Sequence, residues 1–286
     1  MIPAQFDYAA PTSVEEALGL LAEHGDDAKV LSGGQSLLPV LRMRLNAPGI
    51  IVDITRIEEL KGITDEGDTI RIGAGTTYQE VLDSDLVREH LGLVHKAVTE
   101  VADPQIRHRG TLCGALAHAD PAGDVGAPVL ALDAQMVIQG PDGQRTVPGS
   151  EFFLDLFETA INDGELLTAV VIPKHTGWGS HYEKFVRVSH QWAIIGIAAA
   201  VRTDSPGGVI AEAKIGLTNM GNIPLRARDV EAALVGQPAT EDAIAQICAQ
   251  VGEGTDPPSD LNGQADYRRH VAGVLTRRAV LAAAGA

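Results

Sequence analysis

The apolar positions of this chain repeat in two different periods, and the change of period divides it. In PTSVEEALGLLAEHG, Val14, Ala17, Leu18, Leu21 and Ala22 fall on one face of a 3.6-residue helix. Thr12 or Ser13 can cap that helix, each followed three residues on by a glutamate (Glu15, Glu16), and Gly25 stops it. Short apolar runs then predict strands at AKVL (28–31), IIVDI (50–54) and TIRIG (69–73). Between Gly75 and Gly92 the helical period returns in YQEVLDSDLVREH, and it continues in LVHKAVTEV.

From Ala134 the period shortens to two. AQMVIQG and QRTV flank a Pro-Asp-Gly turn and predict a hairpin. LLTAVVIP (166–173), SHYEKFVRV (180–188), AIIGIAAAVR (193–202) and VIAEAKIGLTN (209–219) are expected as consecutive strands of an antiparallel sheet. RARDVEAALVG, TEDAIAQICAQV and ADYRRHVAGVLTRRAVLAAA close the chain with helices. The fold class is therefore α+β. The break PKHTGWG (Pro173–Gly179) separates a first unit, 1–177, divided in turn near residue 54, from a sheet-plus-helix unit, 178–286.

Charge narrows the partners. The 286 residues carry 22 Lys and Arg against 38 Asp and Glu, a net −16, which opposes nucleic acid or an anionic membrane as the main partner. The N-terminus lacks a basic, apolar leader, and the longest apolar run, Trp192–Val201, is about half the roughly 20 residues a spanning helix needs. A cytoplasmic protein without a transmembrane segment is expected. Two cysteines far apart, Cys113 and Cys248, form no disulfide framework and cannot ligate an iron–sulfur cluster alone; Cys248, in an apolar helix pattern, belongs to the core.

Three glycine-bearing stretches carry candidate chemistry. In VLSGGQSLLPVLRMRL, Gly33 and Gly34 follow a strand and let backbone amides crowd around an anion, with Gln35 and Ser36 adding polar groups. The plain alternative is a tight turn, and no lysine follows as in a nucleoside-triphosphate loop. TIRIGAGTTYQEVL sets Gly73 and Gly75 before a helix, but Tyr78 stands where a dinucleotide fingerprint needs its third glycine. ADPQIRHRGTLCGALAHADPAGD offers a second anion loop with a hydroxyl, Thr111, and a carboxylate, Asp124. His118, Asp120 and Asp124 would be the metal set there, but Pro121 and Gly123 break any regular face. No G-x-S-x-G elbow occurs for a hydrolase. The two loops together suit the two sides of one pyrophosphate.

SGGQSLLPVLRMRL, VDITRIEELKGI, IRIGAGTTY, RHRGTLCGALAHADPAGD, YEKF and LTNMGNIPLRA, in this order, resemble the FAD-binding medium subunits of the molybdenum hydroxylases, the xanthine dehydrogenase family. Within that family the chain looks most like the medium subunits of aerobic carbon monoxide dehydrogenases, nearly end to end. The resemblance implies a two-subdomain FAD-binding domain of the PCMH type followed by an antiparallel sheet with helices. It implies that Val30, Leu31, Ser32, Gly33, Gly34, Gln35, Ser36 and Leu37 wrap the FAD pyrophosphate, with Thr111, Leu112, Cys113, Gly114 and Ala115 opposite. Asp124 would face the ribityl or ribose region, and Leu167 and Lys184 the adenine and flavin ends in an order left open. Trp192 falls where an aromatic can stand beside the isoalloxazine; the alternative is a core aromatic at a strand start. Cys113 and Ala115 stand where the family commonly has glycine and asparagine, and Cys113 is either a packed small residue or a thiol near the flavin.

By the same resemblance the chain is an electron-transfer subunit with no catalytic or metal-ligating residue of its own. Its partners would be an iron–sulfur small subunit and a molybdenum large subunit in a dimer of heterotrimers, with a quinone or another external acceptor. An association with the inner face of the membrane, made through the complex, is the expectation that goes with this reading. Lys184 is the candidate for stabilising negative charge on the flavin. Medium subunits acting on aldehydes or N-heterocycles (nicotine, purine or quinoline type) are the nearest alternative. A self-contained flavin oxidoreductase using His118, His190 or Tyr182, and a non-redox nucleotide-binding or assembly protein, are the others.

Overall fold

The computed structural model describes residues 2–286. Three short strands, β1 (Asp7–Ala9), β2 (Ala28–Leu31) and β3 (Ile50–Asp53), form a parallel sheet in the order β1-β3-β2. The helix Val14–His24 makes the crossover from β1 and buries Ala17 and Leu21. Ser13 is its cap and accepts the Glu16 amide; the Glu16 carboxylate reaches one residue further back, to the Thr12 amide at 2.8 Å.

A second sheet has the order β4-β5-β10-β6-β7, wholly antiparallel. Its strands are β4 (Ile63–Asp65), β5 (Thr69–Gly73), β6 (Gln135–Gly140), β7 (Gly143–Pro148) and β10 (Leu166–Pro173). β8 (Phe153–Asp155) and β9 (Glu158–Thr159) form a separate small hairpin. The hairpin at Pro141–Gly143 matches expectation. LLTAVVIP does not begin the C-terminal sheet; as β10 it is the central strand here, between β5 and β6. Its nearly continuous burial is what a strand covered on both faces requires. Helices fill the connection from β5 to β6, and the helical run after Gly75 is two helices, Tyr78–Asp83 and Asp85–His90, because Ser84 leaves the helical region and caps the second.

The C-terminal sheet runs β11 (Gly179–Phe185), β12 (Ile195–Thr203), β13 (Ile210–Thr218), β14 (Leu225–Arg226) in sequence order. SHYEKFVRV stops being strand at Phe185, and Val186–Val188 enter a loop. β12 is buried on both faces: Ile195, Ile197, Ala199 and Val201 pack into the C-terminal core under the helix Ala265–Ala284, whereas Ala198 and Ala200 pack into the core of the N-terminal half. Small residues on that second face let N-terminal helices come close. A Cβ on Gly216 of β13 would sit 2.2 Å from the Ala127 carbonyl oxygen. No helix among the described residues is long and apolar enough to cross a membrane.

Candidate functional site

β2 ends at Leu31, and the chain then stays irregular until the helix Leu37–Arg42. Through that loop the backbone amides of Gly33, Gly34, Gln35, Ser36 and Leu37 find no acceptor in the protein. Gly34 adopts φ +76°, a conformation that a side chain disfavours. Five consecutive unanswered N–H groups lining a cavity are unusual, since nearly all such groups are normally paired with protein or water.

The second loop arrives from another element and touches the first. Thr111 caps the helix Leu112–His118, its Oγ1 accepting the Gly114 amide, and Ser32 Oγ lies 3.1 Å from the same oxygen. A Cβ on Gly33 would come within 2.2 Å of the Arg109 carbonyl oxygen. Gly33 is therefore needed for loop-to-loop contact as well as for approach by an anion. The two loops form one continuous cradle rather than two jaws facing across a gap.

The cradle floors a cleft of about 580 Å³. Val30, Ser32 to Leu37, Thr111, Cys113, Gly114, Ala115 and Leu167 line it. Leu31 and Leu112 do not; Leu112 is fully buried beneath the loop. Cys113 is buried, its Sγ 3.8 Å from the Ile72 carbonyl oxygen, and burial pushes its thiol up to about 12, so it is a packed neutral thiol. Cys248 is likewise in the core.

Asp124, Lys184 and Trp192 lie outside the cleft lining. Lys184 Nζ donates to Asp124 Oδ2 at 2.8 Å and to the Glu100 carbonyl at 2.9 Å, and the Tyr182 hydroxyl donates to Asp124 Oδ1 at 3.0 Å. The lysine and aspartate side chains are 5% and 6% exposed. Burial pushes the Asp124 carboxyl up to about 6 against the lowering by Lys184 and Tyr182, and burial also raises the Tyr182 phenol. This cluster joins β11 to the N-terminal half at the head of the segment that leads into Thr111. Along the same segment His190 Nδ1 is 2.6 Å from the Ala102 carbonyl. Trp192 is 59% exposed, which removes the core-aromatic alternative.

The metal set does not assemble: Asp120 accepts the Ala122 amide, Asp124 is engaged by Lys184, and His118 faces the cleft. Among the described residues no three His, Cys, Asp or Glu side chains converge. Gly73 and Gly75 back onto the Leu60 carbonyl, at 2.3 and 3.3 Å from their would-be Cβ atoms, so they serve packing rather than a phosphate. Tyr78, which argued against the fingerprint, is a cleft wall, 6% exposed.

Sequence reading missed one whole wall. Phe157, Thr159 and Ile161 to Leu166 line the cleft, held by Arg145, which pairs with Glu165 and reaches the Ala160 carbonyl. The Asn-Asp-Gly turn at 162–164 was the only local signal there. Leu21, Asp26 and Lys29, on the other side, were also unmarked.

Comparison with known proteins gives a consistent picture. The family described as "FAD binding domain in molybdopterin dehydrogenase" matches residues 4–175, and "CO dehydrogenase flavoprotein C-terminal domain" matches 180–283. The carbon monoxide dehydrogenase medium chain of Afipia carboxidovorans is 41% identical over 98% of this chain and 97% of the relative. The glyceraldehyde dehydrogenase medium chain of Sulfolobus acidocaldarius is 36% identical over 98% of each. A solved carbon monoxide dehydrogenase from Hydrogenophaga pseudoflava superposes with a TM-score of 0.93 at 41% identity, over 99% of this chain and 98% of the other.

Proposed function

Because this chain belongs to the family of FAD-binding subunits of the molybdopterin dehydrogenases, we propose that it is the flavin-carrying electron-transfer subunit of a carbon monoxide dehydrogenase. The observation that carries the reading is the run of unanswered amides from Gly33 to Leu37. In a chain of net charge −16, an anion is best met by backbone dipoles, which bring no added charge. The residues present fit FAD: an amide cradle suits its diphosphate, apolar walls from Val30, Ala115 and Leu167 suit its rings, and the cleft is of ligand size.

FAD, when bound, supplies the exchange between one-electron and two-electron transfer. The chain's own contribution is placement. Ser32 and the Gly33–Leu37 amides hold the diphosphate, with Thr111, Gly114 and Ala115 completing the cradle. Leu31 and Leu112 support the loops from beneath. Cys113 shapes the cleft as a neutral residue. Asp124, Lys184 and Trp192 contribute from the seam between the halves. Lys184 has one ammonium hydrogen left after Asp124 and Glu100, and its replacement by methionine is expected to lower the flavin midpoint potential with FAD retained. An unchanged potential would remove Lys184 from that role.

Both cysteines are buried and distant, so no cluster is ligated here. In this reading an iron–sulfur small subunit would supply the electrons, and the molybdenum centre that oxidises carbon monoxide would lie in a large subunit. The outside acceptor is a quinone or a comparable carrier. Purification of the native complex tests this. One FAD per copy of this chain, iron and molybdenum in copurifying chains, and dye reduction with carbon monoxide are expected. A complex that reduces dye only with aldehydes would move the protein to the neighbouring branch, and a preparation without flavin would end the reading.

A further inference from the structure

Arg268 is wholly buried although it carries a charge. A cation taken out of water is costly, and the carboxylate that answers it, Asp260 at 2.8 Å from Nη2, is itself 43% exposed. Nε finds no acceptor among the described residues. Such a pair is poor evidence of added stability, so its geometry is the better guide to its use. Arg268 stands in the first turn of the helix Ala265–Ala284, and its planar fork divides there. Nη2 takes Asp260, at the base of the turn that exposes Leu261, whereas Nη1 donates to the Ile194 carbonyl, immediately before β12.

Ile194 closes the loop that carries Trp192. Asn219, after β13 and at φ +61°, donates its side-chain amide to the Ala193 carbonyl at 2.8 Å and to the same Ile194 carbonyl at 3.2 Å. On the other side of the tryptophan, His190 at φ +67° bonds the Ala102 carbonyl of the N-terminal half. Trp192 is thus two residues from a pin in either direction, and two residues span at most about 7 Å. An exposed indole on so short a tether is presented in one place rather than left free.

We propose that Arg268 is a positioning residue that acts through Trp192: by fixing the Ile194 carbonyl it sets where the indole stands against the flavin ring. The inference rests on the flavin reading and deepens it, giving a buried arginine of the C-terminal helix a part in tuning the cofactor. Only a guanidinium reaches both acceptors at once, one with each terminal nitrogen, whereas an ammonium is a single point. Methionine would fill the space without charge. Asp260 can then turn to water and Asn219 still serves Ile194, so the fold should survive the exchange while the placement is lost.

Two measurements test this. In the full chain with Trp178→Phe, Trp192 is the sole indole, and Arg268→Met is expected to lower the anisotropy of its emission. In the assembled complex with its own FAD, Arg268→Met should shift flavin emission and midpoint potential in the same direction as Trp192→Ala, and Arg268→Lys should recover part of the shift. Added to Trp192→Ala, Arg268→Met should change neither quantity further. Asp260→Asn, at a partly exposed position, should give a smaller shift of the same sign and carries the test should Arg268→Met not fold. Unchanged anisotropy and flavin emission in these variants would overturn the positioning role alone, as would an equal shift with Trp192 already removed. A wild-type complex without flavin would overturn the role toward the cofactor together with the flavin reading, whatever the anisotropy shows.

Discussion

Replacing Lys184 by methionine tests the seam between the two halves in a way that pH makes quantitative. The ammonium and the Asp124 carboxylate are 2.8 Å apart with side chains 5% and 6% exposed, so water contributes little screening. Removing one partner of such a pair costs about 3–5 kcal/mol when the other stays charged. Asp124 need not stay charged. In the wild type its folded pKa is already about 6, raised above the ordinary 3.8 by burial and held from rising further by Lys184 and Tyr182. A carboxyl whose folded pKa is raised binds protons more tightly in the native state. Its contribution to stability is therefore fully present below the unfolded value and is lost as pH rises through the folded one.

Without Lys184 that folded value rises further, and the loss extends to higher pH. Below about pH 4 both proteins carry a neutral Asp124, and the variant lacks only hydrogen bonds, a deficit of about 1 kcal/mol. Above pH 6 the wild type ionises Asp124 next to an ammonium, and the variant cannot. The deficit then grows by up to about 1.4 kcal/mol per pH unit, towards a limit of about 3–5 kcal/mol. Urea unfolding of both proteins at several pH values between 5 and 8.5, followed by far-ultraviolet circular dichroism, measures the difference. The double variant Lys184→Met with Asp124→Asn should lose the pH dependence and recover most of the stability. A deficit that stays constant, or shrinks as pH rises, would refute the assignment of a charged, dry pair.

Gly33→Ala should cost about 1–3 kcal/mol and release the cofactor, because its Cβ would meet a backbone oxygen at 2.2 Å that cannot yield without moving the second loop; thermal unfolding and flavin content measure the two effects. Both thiols are pushed up to about 12 by burial, so a thiol reagent at pH 8 should label neither Cys113 nor Cys248 until the protein unfolds. Trp192→Ala should change unfolding free energy by less than about 0.5 kcal/mol, since the ring is 59% exposed; a change in flavin fluorescence without a change in stability would support its place beside the cofactor.

The elements that local pattern describes were legible almost to the residue. AKVL, TIRIG, LLTAVVIP and the helix over ADYRRHVAGVLTRRAVLAAA coincide with β2, β5, β10 and Ala265–Ala284. Pairing was less legible, for a physical reason. β10 is apolar on both faces, and such a strand shows no alternation from which to read its neighbours. Its partners β5 and β6 come from segments separated from each other by the helices of residues 78–131, so sequence order suggested β11 as its neighbour. The alternation in β12 shows the same limit. Its two faces both read as small or apolar, and only the packed chain shows that Ala198 and Ala200 belong to one core and Ile195 and Ile197 to another.

At the site, what was legible is what glycine makes necessary. A side chain at Gly33 is excluded by the Arg109 carbonyl and one at Gly34 by its φ, so the first loop stands out in the residues themselves. The wall from Phe157 to Leu166 carries no such demand: its shape comes from Arg145 gripping Glu165 and the Ala160 carbonyl, and from Asn222 holding Asp155, and none of these contacts has a local spacing. Lys184 and Asp124 lie between these extremes. Motif likeness marked them as cofactor contacts, whereas their burial and short separation make them first a charged bolt between the halves. The two descriptions meet at Glu100, whose carbonyl takes a second hydrogen bond from Lys184 at the start of the segment that ends in Thr111. A bolt that fixes Glu100 limits where Thr111 can stand, and Thr111 in turn holds Ser32. The C-terminal sheet is therefore joined to the cradle by a continuous path of backbone and hydrogen bonds that runs from Lys184 through Glu100 to Thr111 and Ser32.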